Sequence, residues 1–247
     1  GRKALTPLRL PRVRPRSLRD FPLALFLCAL ACLPRTAGAA ALANAGVRMA
    51  PATPGGVRFT VTVPAPTLER VDNEQQLDEL VIPGYGALGG EPGLPALPTR
   101  TILVAVPPLG DVRLTVVSSE TNVRDGVTLS PNPGLDAEGR PAPAARKLSA
   151  YGAAGSGTPI AARILDVSWM RNQRVARVLI APAAYEPAAR RLTVAGRIDA
   201  ELSVANLGAI GPAAEPDDPF EEVYRLSLAN YEQGRAWRRP RAQALLT

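Results

Sequence analysis

The sequence has no histidine and only two cysteines, Cys28 and Cys32, both within its first 39 residues. Everything downstream therefore lacks imidazole and thiol alike. That excludes a disulfide, a thiol–imidazole dyad and a soft-ligand metal site from residues 40–247. Aromatic residues make up only 4% of the 247 positions, so a core has to be built from Val, Leu, Ile and Ala, which the 46% apolar content allows. The apolar stretch Phe21–Leu33 is shorter than the roughly 20 residues a membrane helix needs, and a stable span is not expected.

Excess charge is also missing from most of the chain. The formal net charge is +7, but of 29 basic and 22 acidic residues eight and one fall in residues 1–39, leaving 21 of each for the remainder. The basic pI belongs to the leader, and a nucleic-acid partner loses its electrostatic basis. That leader has the grammar of a signal peptide: an Arg-rich start ending near Arg19, the apolar Phe21–Leu33, a break at Pro34, and small residues around Ala39. Cleavage after Ala39 is expected, with the product exported to the cell surface, the periplasm or the medium. Pro15 interrupts Arg14 and Arg16, against a twin-arginine signal, and Ala29-Leu30-Ala31 before Cys32 makes a poor lipobox. The missing initiating methionine points to a piece of a longer reading frame.

What is present is a series of short β-type runs. Val57–Val63 alternates cleanly and predicts a strand burying Val57, Phe59, Val61 and Val63. Leu68–Asp72 and Leu80–Pro83 are shorter candidates around a polar turn, and Val123–Leu129 is another. Thr101–Val106 and Asp111–Ser118, separated by Pro107-Pro108-Leu109-Gly110, predict a hairpin. So do Arg163–Met170 with Arg174–Ala181, and Leu192–Ala195 with Arg197–Ala205 across Gly196. In the last of these Ile198, Ala200, Leu202 and Val204 share the buried face. Many short strands with turns between them predict an all-β antiparallel sandwich. Ser130–Thr158 has no period and predicts a long unstructured loop. Asp218-Pro219-Phe220-Glu221 predicts a helix start with Asp218 as N-cap, and Phe220, Val223, Tyr224, Leu228 and Tyr231 form one amphipathic face.

Chemistry-bearing motifs are few. Gly84–Gly90 is followed by neither Gly-Lys-Ser/Thr nor a helix, so it reads as a turn and not a phosphate loop. Asp217, Asp218, Glu221 and Glu222 lack the spacing of a calcium loop and read as the solvated start of a helix. Trp169 and Tyr185 offer a weak case for a sugar platform, with packing at a strand end the plainer account. No metal and no cofactor are expected.

Three blocks carry a resemblance. The first is Gly90-Glu91-Pro92-Gly93-Leu94-Pro95, then Ile102–Pro107, then Gly110–Val116. The second is Arg171–Ala181 with Pro182, Tyr185 and Pro187, closing on Leu192–Val194 and Ile198–Val204. The third is Asn230–Arg238. In this order they resemble the pro-region of gingipain-type cysteine peptidases over roughly residues 57–238. The resemblance implies a jelly-roll-like β-sandwich, a non-catalytic pro-domain that keeps the enzyme latent and aids its folding, and a partner in the catalytic domain of the same precursor. It also implies an inhibitory loop that lends a basic side chain to the enzyme's specificity pocket. Arg140, followed by Pro141 and so resistant to cleavage, fits that part, with Arg146 and Lys147 beside it. Processing is expected after Ala39, Arg238 and Arg241. The domain plan is a leader over 1–39, a flexible linker over 40–56, the sandwich over 57–208, a linker over 209–218, and a helix with the junction over 219–247. A cell-surface β-sandwich adhesion or ligand-binding module is the alternative.

Overall fold

Alternation of Val, Leu and Ile with polar residues produces strands because side chains two apart share a face, so each run buries one face of its pleat. The structure, a computed structural model, describes residues 44–51, 53, 55–72, 74–86, 90–152, 159–206 and 219–239. In chain order come β1 (Val47–Met49), β2 (Gly56–Thr62), β3 (Thr67–Asp72), β4 (Leu77–Val81), β5 (Arg100–Ala105) and β6 (Asp111–Arg124). The small pair β7 (Gly134–Leu135) and β8 (Pro141–Ala142) and the single turn α1 (Leu148–Tyr151) follow. Then come β9 (Ala161–Met170), β10 (Gln173–Ala181), β11 (Ala183–Glu186) and β12 (Arg191–Ala205). The described chain closes with α2 (Glu221–Ser227), α3 (Tyr231–Gly234) and a 3-10 turn, Arg235–Trp237.

β12 is the spine of the larger antiparallel sheet. β6 runs along one of its edges from Leu192↔Arg124 to Ala205↔Asp111, while β11 and then β2 share the other, with β1 outside β2. The second sheet has the order β5-β10-β9. Val57, Phe59, Val61, Ile198, Ala200 and Leu202 from the first sheet and Ile102, Val104, Val175, Val178 and Ile180 from the second fall in a single buried cluster. Each of the Val, Leu, Ile and Phe side chains among them contributes about 1.5–3 kcal/mol on burial. The result is the all-β antiparallel sandwich that the alternating runs predict. On the outer face Asp199 ties three strands: it accepts from Thr60 Oγ1 of β2 at 2.6 Å, from Ser118 Oγ of β6 at 2.8 Å, and from Arg197. Arg197 first, then the two hydroxyls, hold its carboxyl down at about 2.

Several expectations are corrected. Thr101–Val106 and Asp111–Ser118 are not a hairpin: β5 pairs with β10 and β6 with β12, so Pro107–Gly110 carries the chain from one sheet to the other. Two prolines in succession offer no ladder donors, and Arg174 Nη1 reaches the carbonyls of Pro107 and Gly110 at 3.2 and 2.9 Å. Gly196 does not turn the chain. It lies within β12 where the register against β6 shifts, and where the neighbour changes from β11 to β2, which makes it a bulge. The run expected at Val123–Leu129 is split: Arg124 ends β6, and Leu129 bridges Asp78 in parallel. The sheet also begins earlier than Val57, since β1 pairs Val47↔Val61 and Met49↔Phe59 inside the segment expected as linker.

The C-terminal helices dock on the sandwich. Tyr224, Leu228 and Tyr231 are buried, Ala229 N donates to Leu103 O at 2.8 Å, and Tyr224 Oη donates to Met170 O at 3.0 Å. Asp218 and the 209–218 linker lie outside the described residues, as do the leader and the residues after 239. Among the described residues no helix is long and apolar enough to cross a membrane.

Candidate functional site

Residues 130–152, expected as an unstructured loop, are held against the Gly/Pro arm of residues 90–96. Prolines at 131, 133, 141 and 143 prevent a long strand, yet the backbone finds partners. Asn132 N donates to Leu94 O at 2.7 Å, Gly93 N to Asn132 O at 3.0 Å, Ala96 N to Ser130 O at 2.9 Å, and Lys147 N to Gly93 O at 2.9 Å. Both ends of the loop are thus fastened to the arm. The arm's glycines are required by this contact. A side chain at Gly90 would collide with the buried Asn132 amide. Gly93 has φ +85°, and a Cβ there would come within 2.6 Å of Ala145 O. The Gly-Glu-Pro-Gly-Leu-Pro motif is therefore the fastening for the loop. Gly93→Ala is expected to lose about 1–2 kcal/mol from the left-handed backbone alone. The loop should release with it, and limited proteolysis between residues 134 and 147 should speed up relative to the parent.

At the tip, β7 and β8 pair Gly134↔Ala142 and Leu135↔Pro141, and Asp136 organises the turn between them. Its Oδ1 accepts the backbone N–H groups of Glu138 at 3.0 Å and Arg140 at 2.8 Å, and its Oδ2 accepts Arg140 Nε at 2.9 Å. The Arg140 backbone N–H is the largest cause that holds the Asp136 carboxyl below its ordinary value. Arg140 Nη2 also pairs with Glu138 at 3.1 Å, yet its side chain remains 71% exposed. Arg140 is thus presented to solvent on a turn fixed by its own backbone. Lys147 pairs with Glu91 of the arm, and Arg146 lies over the Tyr151 ring at 5.6 Å. The three basic residues singled out in the sequence share one segment and point to three different settings.

Arg238 is placed otherwise. Its side chain is 3% exposed, pairs with Glu221, donates from Nε to Gln173 Oε1 at 3.4 Å and stacks over the Tyr224 ring at 4.4 Å. Expected as a processing residue, it is an internal anchor, closed to a protease pocket while this region is folded. Arg239 is held too: its N–H donates to Asn172 O at 3.0 Å and its guanidinium lies 4.0 Å over Trp169. Ala39 and Arg241 lie outside the described residues. Asn230 opens the third resemblance block, but the sequence assigned it no role. Its amide accepts from Ala105 N at 2.7 Å and donates to Ala105 O at 2.9 Å, pairing the buried end of β5 like one more strand residue.

The family model Propeptide_C25 matches residues 44–237. Among solved structures, the chain is similar to one from a complex of Porphyromonas gingivalis RgpB pro- and mature domains, at 22% identity and TM-score 0.64. That match covers 76% of this chain and 98% of the other. It is also similar to a structure concerning zymogenic latency of gingipain K from the same organism, at 23% identity and TM-score 0.51, over 64% of this chain and 90% of that one. No curated protein matches. With more than three quarters of its length matched by the family model, from the first described residue to the 3-10 turn, the chain belongs to the propeptide family of C25 peptidases, the pro-regions of the gingipain type.

Proposed function

We propose that this pro-domain keeps the catalytic domain of its own precursor latent, and assists its folding, until proteolysis separates them. The observation that carries the reading is a guanidinium presented on a braced turn, in a family of peptidase propeptides. A domain that binds only the native enzyme stabilises it by mass action while it covers the cleft. Arg140 is the residue that enters the specificity pocket, and Pro141 after it resists cleavage of the bond. The domain itself is non-catalytic, since no Cys or His follows residue 39. It is exported by the leader, and release begins at Arg241, the first basic residue past the buried Arg238 and the proline-protected Arg239.

The test is inhibition. Purified residues 40–247 should inhibit the catalytic domain of the precursor stoichiometrically, raise its refolding yield, and show no thiol-inhibitor-sensitive hydrolysis of their own. Full peptidase activity in the presence of excess pro-domain would refute the latency reading.

A further inference from the structure

A cavity of about 320 Å³ opens at the foot of the loop, lined by Thr128, Arg146, Tyr151, Tyr185, Pro187 and Arg190. The exposed Arg190 stands in its wall: its backbone is left-handed at φ 50°, and its Nη2 donates to Gly126 O at 2.9 Å. Arg146 spans the Tyr151 ring and has no ion pair among the described residues. Tyr185 Oη already donates to Val127 O at 3.1 Å, whereas Tyr151 Oη is buried with no hydrogen-bond partner among the described residues. Burial raises the pKa of both phenols, so they remain protonated at neutral pH.

The lining has two guanidinium groups, a spare phenol donor and no carboxylate. Such a set calls for acceptors and negative charge, and a buried donor left unmet is costly. An occupant has to bring both, and a carboxylate does so in the planar form that a guanidinium matches. The surroundings indicate where it comes from. Leu148 and Leu135, at 81% and 73% exposed, are the two most exposed large apolar side chains among the described residues, and both lie on the loop segment that ends at this cavity. Leu148 stands two residues along the chain from Arg146 and Leu135 at the tip of the same segment, so the loop offers apolar anchors and one charged pair that orients the partner, the makeup of an interface.

We infer that the Arg146–Arg190 cavity is a carboxylate receptor that takes an acidic side chain of the catalytic domain. This rests on the latency reading for its partner, but not for its chemistry. The double substitution Arg146→Gln with Arg190→Gln should weaken inhibition about tenfold or more, with the thermal midpoint of the free domain unchanged. Tyr151→Phe should weaken inhibition while leaving the free domain as stable or more so, because the hydroxyl it removes has no hydrogen-bond partner among the described residues. A purely structural role would lower stability instead. If the parent inhibits and the double variant inhibits equally, the receptor is overturned and the latency reading stands. If the parent fails to inhibit, the latency reading falls and glutarate decides. A midpoint raised by glutarate in the parent but not in the double variant upholds the receptor. No rise with glutarate, or a rise with phosphate alone, overturns it.

Discussion

Arg238→Ala is expected to lower the unfolding free energy by about 3–5 kcal/mol, the scale for removing one partner of a buried ion pair. It should be seen as a lower urea midpoint with little change in slope. The size follows from what is left behind. Glu221 accepts from Arg238 and from Tyr231 Oη, and is itself largely buried. Without the guanidinium its charge has no near counterpart except Arg235, at 3.7 Å and half exposed. The stack on Tyr224 and the contact with Gln173 Oε1 go with it. Arg238→Lys keeps the charge but not the planar stack, and should lie between the two.

The same pair predicts an acid response. Burial alone would raise the Glu221 pKa, but the hydrogen bonds from Tyr231 and Arg238 outweigh it and the net shift is downward from 4.5. A carboxyl depressed on folding contributes stability that is fully present above its unfolded value and is lost as pH falls through the folded one. The parent should therefore lose stability below about pH 4.5, and Glu221→Gln should flatten that part of the curve while lowering the plateau above it. A slope identical in both proteins would assign the acid response to other carboxylates, Asp199 among them.

How much of this was legible follows from where the information sits. Val57, Phe59, Val61 and Val63 announce their buried face because alternation is a local property, and all four are buried as the sequence implies. The same holds for Ile198, Ala200, Leu202 and Val204. Pairing partners are not local. Two adjacent runs joined by four residues look like a hairpin, and only the other sheet reveals that β5 and β6 part company. Gly196 shows the same limit, since a glycine between two strands is compatible with a turn or a bulge. The site divides likewise. Arg140 could be singled out from its proline neighbour, but the brace from Asp136 and the fastening by Gly93 depend on backbone directions. Arg238 reads as one basic residue among several near the chain end, and its burial depends on Glu221 and Tyr224 of α2 meeting Gln173 of β10.

Arg140→Ala should weaken inhibition of the catalytic domain by about 2–4 kcal/mol, the range of an interface anchor that ends in a charge-assisted hydrogen bond. In inhibition constants that is roughly 30-fold to 1,000-fold. Two costs reduce the gain and neither cancels it. The guanidinium has to leave Asp136 and Glu138, but exposed ion pairs of this kind are worth only about 0–1 kcal/mol each. The side chain also loses rotamer freedom, although the turn has already fixed its backbone through the N–H groups that Asp136 accepts. Asp136→Ala separates these contributions. It frees the guanidinium yet unpins the turn, so if preorganisation matters more, inhibition weakens even with Arg140 intact. Protonation acts in the same sense. The Asp136 carboxyl is held below its ordinary value in the folded turn, so the brace persists above that value and fails as pH falls through the depressed one. Arg48→Ala, an exposed position on β1, is the control and should leave the inhibition constant unchanged. Equal constants for Arg140→Ala and the parent would remove this side chain from the inhibitory contact and leave it a solvated turn residue.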